Sequence, residues 1–143
     1  DVPTFADHAK MLATVKPDAV VISTPHTLHF QQIMDSLDAG CHVHTEKPMV
    51  CTVAHAKQVI QKVKETGKHL MIGYQRHLQP AYMYCRQVVQ SGELGKVHFV
   101  TAHQCQNWYR GTKGRWRQVP SLSGGGQLND SGRHLIDILL WIL

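Results

Sequence analysis

Two patterns of apolar residues, one typical of β-strands and one of helices, alternate over the first half of the chain. Three short segments predict β-strands: the first and third are continuous apolar runs, typical of parallel strands buried on both faces, and the second alternates. These segments are Asp18–Thr24, Cys41–Thr45 and His69–Tyr74. Between them, apolar residues recur at helical spacing over 27–39 and 53–66. Helix-sized connections between strands indicate right-handed crossovers, so the pattern predicts a parallel, doubly wound α/β sheet.

Residues typical of helix ends support these boundaries. A first helix is predicted over Thr4–Val15 from its apolar spacing. Gly40 and Gly67 follow the two later helices, and glycine is the usual residue just past a helix end. Thr52 can cap the last of these helices with its hydroxyl group.

The pattern changes after Gln79-Pro80. A helix is predicted over Ala81–Ser91, and the alternation of Val97–Cys105 is typical of an antiparallel strand with one exposed face. Gly111–Gly126 is a long loop rich in glycine, serine and arginine, and loops of this length are usually functional or disordered. A last helix is predicted from about Gln127 to the end. The second half therefore resembles the start of an α+β unit with a mostly antiparallel sheet.

Composition places the chain among ordinary globular proteins. Hydrophobic residues make up 43% and charged residues 17% of its 143 residues. No run approaches the roughly 18 apolar residues of a membrane span, and the start of the chain does not resemble a signal peptide. The four cysteines show no CxxC spacing, so we expect reduced thiols and a cytoplasmic location.

The net charge of +5 is modest, and its only dense cluster lies within 110–117. Nucleic-acid binding would require a basic stripe interleaved with aromatic residues. A basic pocket for a nucleotide phosphate explains the same cluster. We therefore expect no nucleic-acid partner and no membrane partner.

Glu46, Lys47 and Pro48 follow the second predicted strand. In open α/β sheets, ligands bind just outside the carboxyl ends of the strands, so Lys47 could meet the reacting atom of a ligand. A surface Lys-Pro turn is the alternative. We expect the Lys47-Pro48 peptide bond to be trans, because only about 5–6% of X-Pro bonds in folded proteins are cis.

Asp130, His134 and Asp137 are spaced i, i+4, i+7 on the last predicted helix, and Trp141 extends the same face. Glycines 124–126 precede this helix and allow a close approach of the backbone. A histidine one turn from a carboxylate suits substrate binding and proton transfer. Alternatively, Asp130 supports the first helical turn through the helix dipole, and His134 is a satisfied interior residue.

Eleven histidines raise the question of a metal site. His26 and His29 are spaced i, i+3, and His42 and His44 are spaced i, i+2 on a strand. Zinc requires four nitrogen, sulfur or oxygen ligands, usually in paired motifs, and no second matching pair occurs here. We expect no metal, and a zinc-binding module remains a minor alternative.

Four motifs occur in one order along the chain. They are Asp18–Pro25 with Leu28-His29, Ala39-Gly40-x-His42-Val43-x-x-Glu46-Lys47-Pro48, Gly73–Arg76, and Gly124-Gly125-Gly126-x-Leu128-x-Asp130-x-Gly132-x-His134-x-x-Asp137. In this order and spacing they resemble the glucose–fructose oxidoreductase / inositol dehydrogenase (Gfo/Idh/MocA) family. The resemblance covers essentially the whole chain.

The resemblance implies a Rossmann-like domain that binds NAD or NADP and a second domain that carries the substrate pocket and the oligomer contacts. It assigns 1–76 to the carboxyl-terminal part of the first domain and 77–143 to the start of the second. Implied catalytic residues are Lys47, Asp130 and His134. Implied cofactor-binding residues are Thr24, Pro25, His26, His29, Glu46, Lys47, Gln75 and Arg76, and Trp116 and Arg117 join the catalytic residues in the substrate pocket.

By the same resemblance, the reaction is reversible hydride transfer between a nicotinamide ring and a secondary alcohol or ketone of a sugar or cyclic polyol. His134 would be the general base, oriented or charged by Asp130, and Lys47 would donate to the same oxygen. A non-catalytic dinucleotide-binding regulator of the same fold is the rival interpretation. It would have no need of all three residues.

The chain departs from the family at its start. The first strand, the G-x-G-x-x-G turn and the acidic residue that reads the adenosine ribose are not in this sequence. We therefore expect a central piece of a longer protein, truncated in its Rossmann-like sheet and inactive alone, because a pyrophosphate site needs that turn and helix N-terminus. The resemblance also implies a homo-oligomer formed through the sheet of the second domain.

Overall fold

A parallel three-stranded sheet lies at the centre of the computed structural model, which describes residues 1–143. The strands are β1 (Ala19–Ile22), β2 (His42–Thr45) and β3 (Leu70–Ile72), in the order β1-β2-β3. Val43 lies opposite Val20 on one side and opposite Leu70 on the other. The predicted parallel α/β sheet is confirmed, with strands shorter than the apolar runs.

Seven α-helices accompany the sheet. They are α1 (His8–Val15), α2 (His29–Asp38), α3 (Val53–Thr66), α4 (Pro80–Gln90), α5 (Trp108–Thr112), α6 (Pro120–Ser123) and α7 (Arg133–Ile142). Three 3₁₀ turns (His26–Leu28, Gln75–Leu78, Trp116–Gln118) and a π-helical turn (Leu128–Gly132) lie between them. The Thr52 hydroxyl accepts a hydrogen bond from the His55 N–H, and Gly67 ends α3 at φ 64°, so both predicted helix ends are correct.

The core lies on one side of the sheet, between the strands and helices α2 and α3. It consists of Ile22, Ile33, Leu37, Val43, Val50 and Val59, each at most 5% exposed. Ile22 ends β1, and Val50 follows the Glu46–Pro48 segment. Packing of these residues therefore holds the carboxyl ends of β1 and β2 in fixed positions.

The other face of the sheet is open, contrary to the prediction of burial on both faces. Val21 on β1 is 72% exposed and Met71 on β3 is 63% exposed. Successive strand residues point to opposite faces, and α2 and α3 cover only the face that carries Ile22 and Val43.

The second half differs most from the sequence-based prediction. Residues 97–105 form no strand and take part in no backbone–backbone hydrogen bond. The predicted loop 111–126 is partly helical, since it includes the end of α5, a 3₁₀ turn and α6. Helix α4 packs against α7. None of the helices combines the length and the apolar character that crossing a membrane requires.

Candidate active site

The segments that follow the three strands meet at one edge of the sheet, where parallel strands of an open α/β sheet present their ligand site. Residues 23–28 follow β1, residues 46–48 follow β2, and residues 73–78 follow β3. The π-helical turn of the second half lies against them, since Lys47 reaches across to Asp130. Both halves of the chain therefore contribute to one site.

Lys47 is 9% exposed, and its ammonium group contacts Asp130 twice. The Nζ atom donates to Asp130 Oδ1 at 2.6 Å and to the Asp130 carbonyl oxygen at 2.9 Å. A surface Lys-Pro turn is thereby excluded. The Lys47-Pro48 peptide bond is cis, so the expectation of a trans bond, which rested on base rates alone, is wrong.

The Asp130 carboxylate is the hub of the site. Besides Lys47, it accepts a hydrogen bond from Trp108 Nε1 at 2.8 Å on Oδ2, and Arg117 Nε lies 3.2 Å from the same oxygen. Burial alone would raise its pKa, but the hydrogen bonds from Lys47 and Trp108 and the two positive charges outweigh burial and lower the pKa below its ordinary value. Asp130 is therefore a carboxylate at neutral pH.

His134 is half-buried and makes no hydrogen bond, and its Nδ1 atom is buried without a partner. Burial lowers its pKa, and the positive charges of Lys47 and Arg76 lower it further. The ring is thus a neutral imidazole at pH 7, free to accept a proton.

Asp130 makes no hydrogen bond to His134 and so does not orient the ring as expected, although its negative charge acts to raise the pKa of His134. The carboxylate is occupied by Lys47, Trp108 and Arg117 instead. Asp130 also lies in a π-helical turn, whose winding differs from the 3.6 residues per turn that the spacing rule assumes.

A cavity of about 510 Å³ brings half of the predicted site residues together. Six of them line it: Lys47, Gln75, Arg76, Arg117, Asp130 and His134. Sequence reasoning missed Trp108 and the amide side chains Gln104, Gln106 and Asn107 in the same lining. Gln104 lies within the predicted strand Val97–Cys105, and no motif in the sequence singles out the other three residues.

His26 lies behind the Lys47–Asp130 pair rather than in the cavity lining. Its Nδ1 lies 3.0 Å from the Ser123 carbonyl oxygen, and its Nε2 lies 3.8 Å from Asp130 Oδ1. The Trp116 ring packs edge-on against it, with 4.7 Å between ring centroids. Burial lowers the pKa of His26 to about 4, so the ring is neutral at physiological pH. Trp116 and His26 thus support the site from behind.

His29 is fully buried and connects two of the segments at the sheet edge. Its Nδ1 lies 2.8 Å from the Pro48 carbonyl oxygen, and its Nε2 lies 3.0 Å from the Thr24 carbonyl oxygen. Both ring nitrogens are therefore occupied by main-chain groups, so His29 has no free nitrogen for a ligand. His29 was predicted to bind the cofactor, and in the structure its ring supports the main chain at the sheet edge.

The remaining predicted residues lie outside the cavity lining. The Thr24 hydroxyl donates to Gln32 Oε1 at 2.6 Å, and Pro25 precedes the 3₁₀ turn. Glu46 is exposed at the end of β2, beside Gly73. All three residues lie near the carboxyl ends of the strands, but none of them lines the cavity with Lys47, Asp130 and His134.

Asp137 and Trp141 do not share the site with Asp130, contrary to the predicted common face. Asp137 Oδ2 lies 2.8 Å from His77 Nε2, and the Trp141 ring stacks on His77 with 4.7 Å between centroids. The π-helical turn separates their face from that of Asp130. No group of three or more histidine, cysteine, aspartate or glutamate side chains is arranged to hold a metal ion.

Comparison with known proteins identifies the relatives of this chain. Residues 1–74 match the family described as "Oxidoreductase family, NAD-binding Rossmann fold" (GFO_IDH_MocA), and residues 82–143 match the GFO/IDH/MocA C-terminal domain. The chain is 32% identical over 139 residues to D-glucoside 3-dehydrogenase of Escherichia coli, a match that covers 96% of this chain and 39% of that protein.

Solved structures give the same result. An oxidoreductase domain protein from Kribbella flavida superposes with a TM-score of 0.84 at 30% identity, over 95% of this chain and 37% of that one. An inositol dehydrogenase homologue from Azotobacter vinelandii, complexed with NAD⁺, superposes with a TM-score of 0.75 at 27% identity, over 88% of this chain and 34% of that one. The chain thus spans well under half the length of these relatives. It belongs to the Gfo/Idh/MocA family of NAD-binding oxidoreductases.

Proposed function

We propose that the full-length protein transfers a hydride between a nicotinamide cofactor and a secondary alcohol or ketone of a sugar or cyclic polyol. One observation carries the proposal. The buried Lys47–Asp130 pair and a neutral His134 line the same cavity, at the edge of a parallel sheet where ligands bind. The relatives named for a glucoside and for inositol support the choice of substrate class.

The side chains at this edge fit the nicotinamide end of NAD or NADP. Gln75 lines the cavity beside Lys47 and offers an amide group for ribose hydroxyls or a carboxamide. Bound there, the nicotinamide would supply the hydride chemistry, which leaves the protein to orient the substrate and move a proton.

Proton transfer falls to His134. Its neutral ring has no partner within the protein, so it can take the proton of a substrate hydroxyl during oxidation and return it during reduction. Its lowered pKa keeps the basic form present at neutral pH.

Lys47 stabilises the charge that develops on the substrate oxygen. An ammonium group has three donors, and Lys47 uses two of them on Asp130. One donor remains for the substrate. Asp130 therefore acts as a positioning residue for Lys47 rather than for His134, and Trp108 holds the other oxygen of its carboxylate.

The test is an assay of reduced-nicotinamide absorbance on the full-length protein with NAD or NADP and a panel of sugars and inositols. We expect turnover that falls roughly 10²–10⁴-fold in His134→Ala, the range for loss of a general base. His98→Ala is the matched control, because His98 is exposed and lies outside the cavity lining. Tight cofactor binding without turnover on any substrate would favour the non-catalytic regulator.

The organisation of the full-length protein is part of the proposal. Residues 1–76 would belong to the cofactor domain and residues 77–143 to the substrate domain, whose sheet would form the contacts of a homo-oligomer in the cytoplasm. Light scattering coupled to size-exclusion chromatography would measure the oligomer, and a monomer would contradict that part.

A further inference from the structure

The charges that line the cavity do not balance. Lys47, Arg76 and Arg117 supply three positive charges, and Asp130 supplies the only negative one. Asp130 is shared between Lys47 and Arg117, at 2.6 Å and 3.2 Å. The lining therefore carries an excess of two positive charges, with His134 neutral.

Arg76 is the cation that no acid compensates. It forms no ion pair, and its only hydrogen bond within the protein runs from Nη2 to Gln104 Oε1 at 2.9 Å. Its guanidinium also lies 5.8 Å from the centre of the Tyr82 ring. A guanidinium group has five N–H donors, so most of them remain available. The negative charge of Glu46 acts on His134, but the Glu46 side chain is exposed and lies outside the lining.

The neutral part of the lining favours a polyhydroxylated ligand. Gln75, Gln104, Gln106 and Asn107 offer amide donors and acceptors, and Trp108 is the only large apolar side chain. Ribose hydroxyls and a carboxamide carry no negative charge, so a nicotinamide riboside at this edge would leave the excess positive charge in place.

We propose that the substrate is a sugar or polyol that carries a carboxylate, of the uronic or aldonic acid class, and that Arg76 binds this carboxylate. The proposal rests on the proposed function of the cavity. The planar guanidinium matches a carboxylate with two parallel hydrogen bonds. The partly exposed Arg117 adds positive potential at the same cavity and attracts the acid.

The test uses the full-length protein and matched pairs of substrates: glucose with glucuronate, galactose with galacturonate, and glucose 6-phosphate as a second anion. A hydrogen-bonded charge pair predicts kcat/KM roughly 10- to 100-fold higher for the acid than for its neutral partner. In Arg76→Gln this ratio falls towards one. Arg110→Gln removes the same charge from an exposed residue outside the lining and should keep the ratio. Isothermal calorimetry of glucuronate binding to each variant gives a readout that needs no turnover.

Each other outcome contradicts one part of the proposal or the proposed function itself. Equal or better turnover of the neutral partners contradicts the acidic substrate while the proposed function stands. A preference for glucose 6-phosphate over glucuronate contradicts the carboxylate. A weaker affinity of Arg76→Gln for the dinucleotide, with the acid preference intact, assigns Arg76 to the cofactor instead. If no substrate turns over, the proposed function fails, and calorimetry alone decides whether glucuronate binds through Arg76.

Discussion

At the scale of single residues, the geometry of the site depends on the partners of the Asp130 carboxylate. Its carboxylate serves Lys47, Trp108 and Arg117, while His134 stays unpartnered. Asp130 is thus charged and held by hydrogen bonds, whereas the neutral His134 ring has no hydrogen-bond partner. Substitutions of the two should therefore have different kinetic signatures.

Lys47→Met should lower kcat roughly 10²–10³-fold and change the KM of the substrate little, because the ammonium acts mainly on the oxygen charge that develops in the transition state. Steady-state kinetics of the full-length protein measures both constants. Lys57→Met on the exposed face of α3 is the control. A change in KM alone would contradict this role of Lys47.

The pH profile should report the pKa of His134. Because this pKa lies below the ordinary 6.5, oxidation of the alcohol should stay constant at neutral pH and fall only as the pH drops through the lowered value, where the base becomes protonated. Arg76→Gln removes one of the charges that lower this pKa, so the fall should move to higher pH. The dependence of kcat/KM on pH, measured for the wild type and for Arg76→Gln, gives the pH of the fall in each protein. An unshifted profile in the variant would show that Arg76 does not act on His134.

The sequence alone indicates candidate residues for the site but not their partners. Lys47, Asp130 and His134 stand in short motifs that can be read along the chain. Trp108 and Gln104 reach the site only through the packing of the second half of the chain. No local sequence pattern predicts their position in the site. The expected orienting contact from Asp130 to His134 is absent, because a π-helical turn replaces regular helical winding at Asp130.

At the scale of elements, the segments after β1 and β2 are joined by one side chain. His29, the first residue of α2, contacts the carbonyl oxygens of Thr24 and Pro48 with its two ring nitrogens. The position of Lys47 next to Pro48 therefore depends on His29.

His29→Ala should lower the free energy of unfolding by about 2–4 kcal/mol, because it leaves buried carbonyl groups without donors and opens a cavity. Denaturant unfolding of the full-length protein measures the change. His103→Ala, at an exposed position, is the control and should change it by less than about 0.5 kcal/mol. Equal effects in the two variants would show that His29 does not stabilise the segments after β1 and β2.

Elements with local signals were predictable and those that need a partner were not. Helix α3 has its cap at Thr52 and its end at Gly67 within its own sequence. The segment 97–105 has the alternating pattern of a strand. A strand, however, is defined by backbone hydrogen bonds to a second strand, and residues 97–105 make no such bond. The exposure of Val21 and Met71 likewise depends on what covers the sheet, which an apolar run does not reveal.

At the scale of the whole molecule, buried neutral histidines make the stability depend on pH. His26 has a pKa of about 4 in the folded state, against 6.5 as its ordinary value. Between these values the unfolded chain binds the extra proton, so stability is full above pH 6.5 and declines as the pH falls towards 4. The decline from this group is on the order of 3 kcal/mol at most.

His26→Asn should reduce this dependence. The melting temperature of the full-length protein, measured at pH 7 and at pH 4.5, should differ less between the two conditions in the variant than in the wild type. His98→Asn, at an exposed position, should keep the wild-type difference. The same difference in wild type and His26→Asn would show that His26 does not contribute.

The double contact between Lys47 and Asp130 also bears on stereochemistry. With two of its three N–H bonds directed at fixed oxygens, the ammonium group presents the third along one direction only. A substrate hydroxyl has to lie on that line, so its epimer would point away from both Lys47 and the base. We therefore expect a higher kcat/KM for one member of an epimeric pair of sugar acids, measured by comparing glucuronate with galacturonate, and Asp130→Asn should make the two values more alike.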